Sequence, residues 1–259
     1  MVTIATQGLA VRLGRRTVLQ GISAAFSPGT LTGIIGPNGA GKSTLLRAML
    51  GLVPRAVGEV SIDGIDIAAM RPRDIAKSVA YLPQGQTLHW PLTVERLVAL
   101  GRLPHLAPLS RLGAADHGAV SGAMERADIV HLAGRIATEL SGGERARVML
   151  ARALAAGAPG LAVDEPLASL DPGHQIDVMT LLAGEARAGS LVVAVLHDLT
   201  MAARYCDRLL LIDGGALVAD GLPGDVLNEE RLRQVYGINA RIEVTASGPI
   251  IVPTDRWRS

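Results

Sequence analysis

Residues 36–44 read "GPNGAGKST", and Gly36, Gly41, Lys42 and Ser43 fill the spacing GxxxxGK[ST] that holds a phosphate chain. The apolar run "LTGII" leads in and "KSTLLRAML" leads out with helical composition. In that setting Gly36, Asn38, Gly39, Ala40 and Gly41 can aim backbone N–H groups at phosphate oxygens, Pro37 shapes the same nucleotide-binding loop without an N–H of its own, and the start of a helix adds partial positive charge. Lys42 brings a full charge to the terminal phosphates, Ser43 brings a hydroxyl for Mg²⁺, and Thr44 closes the motif. A plain glycine-rich turn with a surface lysine needs none of this completeness.

A second stretch, "GLAVDEP" (160–166), ends an apolar run in two carboxylates, where a parallel sheet presents its ligand-binding edge. Successive strand residues face opposite ways, so Asp164 and Glu165 can do different work. Asp164 suits a Mg²⁺ ion held through water; Glu165 suits a base that orients and deprotonates attacking water. Acids at strand ends are often only solvated, and it is the nearby phosphate loop that favours the chemical reading.

The third stretch is "ELSGGERARVMLARALA" (139–155), with Ser141, Gly142 and Gly143 at the start of a helix expected over 143–156. Ser141 followed by Glu144 is capping-box spacing and needs no ligand. The glycine pair exceeds what a cap requires and suggests close backbone approach by an anion. Both readings stay open on these residues alone.

The surrounding elements fit an α/β chain. The opening residues give short strands, "VTIATQGLAV", "RTVL", "GISAAF", "LTGII" and "GEVSID", separated by Gly and Pro signals. Later come "SVAYL", "GLAVD", "SLVVAVL" and "RLLLI", apolar throughout as buried parallel strands are. Residues 93–157 carry helical periodicity, as in "TVERLVAL" and "VSGAMERADIVHL", and read as a helical insertion. The tail "ARIEVTASGPIIVP" reads as a hairpin around Ser-Gly-Pro.

Composition narrows the partners. With 25 Lys and Arg against 24 Asp and Glu, the net charge of +1 supplies no field for nucleic acid. The single cysteine, Cys206, has no partner for an internal disulfide, and the opening residues lack a leader pattern, so the chain is expected in the cytosol. No apolar run is long enough to span a bilayer, so work at a membrane calls for a second, membrane-crossing chain.

Taken together and in this order, the phosphate loop, "YLPQ" (81–84), "LSGGE", "DEP", "SLD" (169–171) and "LHD" (196–198) resemble the ATP-binding subunit of ABC transporters, from the first strands to about residue 240. The resemblance implies one P-loop nucleotide-binding domain over 1–259. It comprises a core (1–85 and 159–240) with an N-terminal antiparallel β-subdomain, an inserted helical subdomain (86–158) and a C-terminal hairpin (241–259). It also implies ATP as ligand and two copies packed head to tail, so that Ser141, Gly142 and Gly143 of one chain close over the ATP on the other's phosphate loop. By the same resemblance, Gln84 senses the γ-phosphate and Mg²⁺, His197 contacts the γ-phosphate and Asp171 communicates across the dimer. Leu13 stands where an aromatic ring usually stacks on adenine, which predicts weakened discrimination between ATP and GTP, with Arg12 or Arg16 as substitutes. Leu167 and Ala146 depart from the family without touching the reactive groups.

One set of motifs without a membrane segment implies two separate permease subunits, with the chain peripheral on the cytoplasmic side of the inner membrane. A periplasmic or surface solute-binding protein would act only indirectly. Residues 86–105 fall where relatives receive a permease's coupling helix, and an apolar groove is expected there. "GRLPH", "LHDLTMAARYCDRLLLIDGG" and "VYG" are most similar to the importers for iron-siderophore complexes, haem and cobalamin. The alternatives are a soluble ABC ATPase uncoupled from transport, an importer of another solute, and a scaffold that binds nucleotide without splitting it.

Overall fold

The computed structural model describes residues 1–85, 88, 90–107, 109–245 and 248–257. The chain enters as an antiparallel sheet of β1 (Ile4–Leu13), β2 (Arg16–Phe26), β4 (Val57–Ile62) and β5 (Ile65–Asp66), in the order β2-β1-β4-β5. "RTVL" and "GISAAF", expected as two strands, form one: Gly21 takes φ +71 within β2, and shifts of register between β1 and β2 absorb the irregularity.

The larger sheet has the order β10-β9-β3-β8-β7-β6. Its strands are β3 (Thr30–Ile35), β6 (Val79–Leu82), β7 (Gly160–Asp164), β8 (Leu191–Val195), β9 (Arg208–Asp213) and β10 (Ala216–Gly221). All neighbours run parallel except β9 and β10. Alternate side chains feed separate cores: Leu191, Val193 and Val195 of β8 pack on the side of the antiparallel sheet, Val192 and Ala194 on the helical side. That two-sided burial is why these strands carry almost no polar residues.

Helix α1 (Lys42–Met49) lies on the first side with the antiparallel sheet. Helix α2 (Pro72–Ser78) leads into β6; α3 (Val94–Ala99), α4 (Ala114–Arg126) and α5 (Gly142–Leu154) follow it, joined into the second core with α6 (Pro172–Arg187) and α7 (Leu199–Tyr205). The run "VSGAMERADIVHL" is not one helix: α4 stops at Arg126, and Asp128 sits at φ +51 before a short 3-10 turn over Val130–Leu132. The closing hairpin pairs β11 (Ile238–Thr245) with β12 (Gly248–Arg256), so Gly248 and Pro249 belong to the strand rather than the turn. Ser247, also expected in that turn, lies outside the described residues. The hydroxyl of Thr200 on α7 clamps the hairpin, accepting from Ile251 N–H at 3.1 Å and donating to its carbonyl at 3.2 Å.

Candidate active site

The carboxyl ends of β3, β7 and β8 lie side by side, so the segments leaving them share one edge of the sheet. From β3 comes the phosphate loop. Gly36 holds φ +147 with no room for a side chain, since a Cβ there would stand 2.0 Å from the Ile212 carbonyl oxygen. Gly41, at φ +108, precedes α1, and no side chain caps that helix. The first N–H groups of α1 thus remain available to an anion.

Lys42 is buried, and its Nζ donates to the carbonyls of Gly36 at 2.9 Å and Pro37 at 3.0 Å. Burial pulls its pKa below the ordinary lysine value, against the opposing pull of Glu165 and Asp164. A cleft of about 220 Å³ opens here, bounded by Asn38, Gly39, Lys42, Thr44, Glu165 and His197. Arg16 and Val18 also border it, whereas Leu13 is half-exposed at the β1–β2 turn.

Asp164, 1% exposed, is the last residue of β7. Its Oδ1 accepts from Ser43 Oγ at 2.7 Å, and its Oδ2 from Arg47 Nη2 and Tyr81 OH, each at 3.3 Å. Arg47 Nε in turn donates to Tyr81 OH at 3.2 Å. The sequence reading missed both donors. Arg47 follows Ser43 by one helical turn, a spacing that puts them on one face, and Tyr81 opens the "YLPQ" run that was read only for its glutamine. Ser43 and Asp164 form a pair of hard oxygen donors that suits Mg²⁺, which keeps waters and adds substrate phosphates to one or two protein ligands. Among the described residues, no group of three His, Cys, Asp or Glu could hold a metal unaided.

Glu165 diverges from Asp164 for a different reason than strand pleating. It has left β7 and holds φ +53. Its Oε2 accepts from Gln84 Nε2 at 2.6 Å, and its Oε1 lies 2.6 Å from His197 Nε2. Gln84 follows β6 and His197 follows β8, so three separate strands place the three side chains. A carboxylate offers about four lone-pair sites, and two are used here, leaving others for water.

The signature residues stand apart from this cleft. Ser141 Oγ accepts from Glu144 N–H at 3.3 Å, and Glu144 Oε2 accepts from Ser141 N–H at 2.9 Å, a closed capping box. At Gly143 the chain supplies a second reason for glycine: a Cβ there would stand 2.0 Å from His174 Cδ2, so a side chain would have to displace that ring. Gly142 is open, with Ser169 O at 3.8 Å from its would-be Cβ. Asp171 caps α6, accepting from His174 N–H at 3.0 Å, and its side chain is largely exposed.

A larger groove, about 550 Å³ and mostly apolar, lies elsewhere. Of the expected 86–105 segment it uses Leu100, Gly101, Leu103 and Pro104; Gln86, Thr87 and His89 fall outside the described residues. Much of the rest comes from the core, including Leu50, Ile75 and Tyr81, which the sequence reading did not include. The "GRLPH" run is the fastening of this groove. A Cβ on Gly101 would meet the Arg152 carbonyl at 2.1 Å, and Arg102 donates to Ala155 O at 2.9 Å and Ala156 O at 3.1 Å beyond α5.

Comparison with known proteins gives the family and the fold. The family model described as "ABC transporter" matches residues 19–168. The chain is 46% identical over 242 residues to the hemin import ATP-binding protein HmuV of Nocardia farcinica, covering 91% of this chain and 83% of that protein. It is 42% identical to the cobalamin import ATP-binding protein BtuD of Halobacterium salinarum, covering 96% of this chain and 63% of that one. Among solved structures, an inward-facing metal-chelate type ABC transporter shares the fold, with TM-score 0.85 at 22% identity and coverage of 100% and 99%. An ATP-binding cassette of an ABC transporter in its ADP conformation gives TM-score 0.81 at 26% identity, covering 91% of this chain and 98% of its own. With the phosphate loop and acid pair in place and this likeness along most of its length, the chain belongs to the ABC transporter family.

Proposed function

We propose that the chain is the ATPase of an importer for haem, cobalamin or an iron-siderophore complex, working as a head-to-tail pair beneath two permease subunits at the cytoplasmic face of the inner membrane. Haem and cobalamin follow the named relatives, and the iron-siderophore complex follows the resemblance carried by "GRLPH", "LHDLTMAARYCDRLLLIDGG" and "VYG". The observation that carries the chemistry is Glu165, held between Gln84 and His197 at the edge of the phosphate cleft.

In this reading the loop from Gly36 to Thr44 binds the phosphates of ATP, and Lys42 turns from its loop carbonyls to their negative charge. Ser43 and Asp164 would hold Mg²⁺, which would neutralise charge on the phosphates; Gln84, bonded to Glu165, is the residue the resemblance assigns to sensing both. Water attacks the γ-phosphorus as the bond to the β-phosphate oxygen breaks. Glu165 accepts the water's proton, and His197 steadies the carboxylate and faces the γ-phosphate. With Leu13 at the stacking position, base recognition falls to Arg16, which borders the cleft. The cleft is bordered by none of Ser141, Gly142 or Gly143 of the same chain, which suits them to the partner's nucleotide, with Asp171 alongside. The single domain spans 1–259, and the apolar groove beside Leu100 and Leu103 takes the permease.

Glu165→Gln tests the reading. The variant should bind ATP, lose turnover by about 10²-fold or more, and accumulate as a dimer on size exclusion. A variant that stays monomeric with ATP bound would count against the sandwich.

A further inference from the structure

The signature turn and the Ser169–Asp171 segment come from different parts of the chain, yet one side chain touches both. His174 is the third residue of α6. Its backbone N–H is fixed by Asp171 Oδ1 at 3.0 Å, and its Nε2 lies 3.7 Å from Asp171 Oδ2. Its ring covers Gly143 so closely that a Cβ there would stand 2.0 Å from Cδ2 and 2.2 Å from Nε2. Nδ1 is buried without a hydrogen bond, 3.5 Å from Asp177 Oδ2. Next to it, Gln175 Nε2 donates to Leu170 O at 3.2 Å, tying the same segment down.

We propose that His174 is a positioning residue: its ring sets the distance between the signature turn and Asp171, so that both reach the partner's nucleotide as one unit. The inference rests on the head-to-tail reading above. Its physical basis is packing. A planar ring wedged against a glycine backbone leaves a single spacing, and a smaller side chain would let the start of α5 settle elsewhere. Neither group belongs to the chain's own phosphate cleft, so nucleotide binding by the monomer is spared.

The test uses the full chain carrying Glu165→Gln, to which His174→Ala, His174→Gln, Gly143→Ala and the Gly143→Ala/His174→Ala pair are added. Two quantities are read: melting temperature, and the protein concentration giving half dimer in Mg-ATP by sedimentation. His174→Ala should leave ATP affinity of the monomer unchanged and raise the half-dimer concentration about tenfold, with His174→Gln in between. Gly143→Ala should lower the melting temperature sharply beside His174 and much less beside Ala, since the added methyl then fills the space the ring left. If His174→Ala fails to fold, His174→Gln carries the dimer measurement. Half-dimer concentrations equal to the parent's, or an equal Gly143→Ala penalty in both backgrounds, would overturn the proposal. A parent that never dimerises overturns the sandwich itself; a dimerising parent with unchanged variants overturns only the role of His174.

Discussion

Glu165 makes its two short contacts through different oxygens, one to an amide and one to an imidazole, so its plane is fixed from both sides. Removing one prop should therefore harm the reacting geometry more than the binding of nucleotide. His197→Ala is expected to lower kcat by roughly 10²-fold while the equilibrium constant for ATP changes by less than about threefold. Steady-state turnover beside binding of a fluorescent ATP analogue separates the two, and a matching loss of affinity would move His197 into phosphate binding alone. The left-handed backbone at Glu165 belongs to the same account. At φ +53 the residue leaves the strand sharply, which brings its carboxylate between Gln84 and His197 while Asp164 stays buried against Ser43.

Among the elements, α5 owes its start to the capping box. The Ser141 N–H, then the Ser141 hydroxyl and Arg135, hold the Glu144 carboxyl below its ordinary value of 4.5. A depressed carboxylate contributes stability that is complete above that ordinary value and is lost as pH falls through the folded one. Wild type should melt about 1–3 °C above Glu144→Gln at pH 7. That gap should hold above the ordinary carboxyl value and close as pH falls through the lower folded-state value, as Glu144 protonates; a constant gap through acid would assign it to packing. Elements of this kind were the legible ones. Motifs whose residues are neighbours in sequence, such as "GPNGAGKST", announce strand, loop and helix at once. Contacts between distant residues left no such trace. His174 reads as an ordinary first-turn histidine until α6 is packed against α5, and the donors to Asp164 come from α1 and β6. β10 escaped notice because "ALVADG" is half-exposed at the sheet edge and lacks a buried strand's apolar run. The helix expected through "ADIVHL" failed because its apolar spacing continues across Asp128, where the backbone turns left-handed.

For the whole molecule, the proposed head-to-tail pairing predicts that no single chain holds a finished reaction centre. Mixing a Lys42→Ala chain with a Ser141→Arg chain should restore turnover that neither shows alone. Each mixed dimer pairs one intact loop with one intact signature, so equal parts should recover about a quarter of the wild-type rate if pairing is random. A mixture no more active than its components would mean that each chain serves its own nucleotide. Helix α5 joins the Ser141 turn to the apolar groove. Its 13 residues make a rod about 20 Å long. Arg152 and Ala153 at its far end line the apolar groove, and Arg102 grips the residues just beyond. If a permease leans on that groove as proposed, a stiff rod carries the push to the Ser141 tip, and the arrival of cargo and the closing of the nucleotide gap become two ends of a single seesaw.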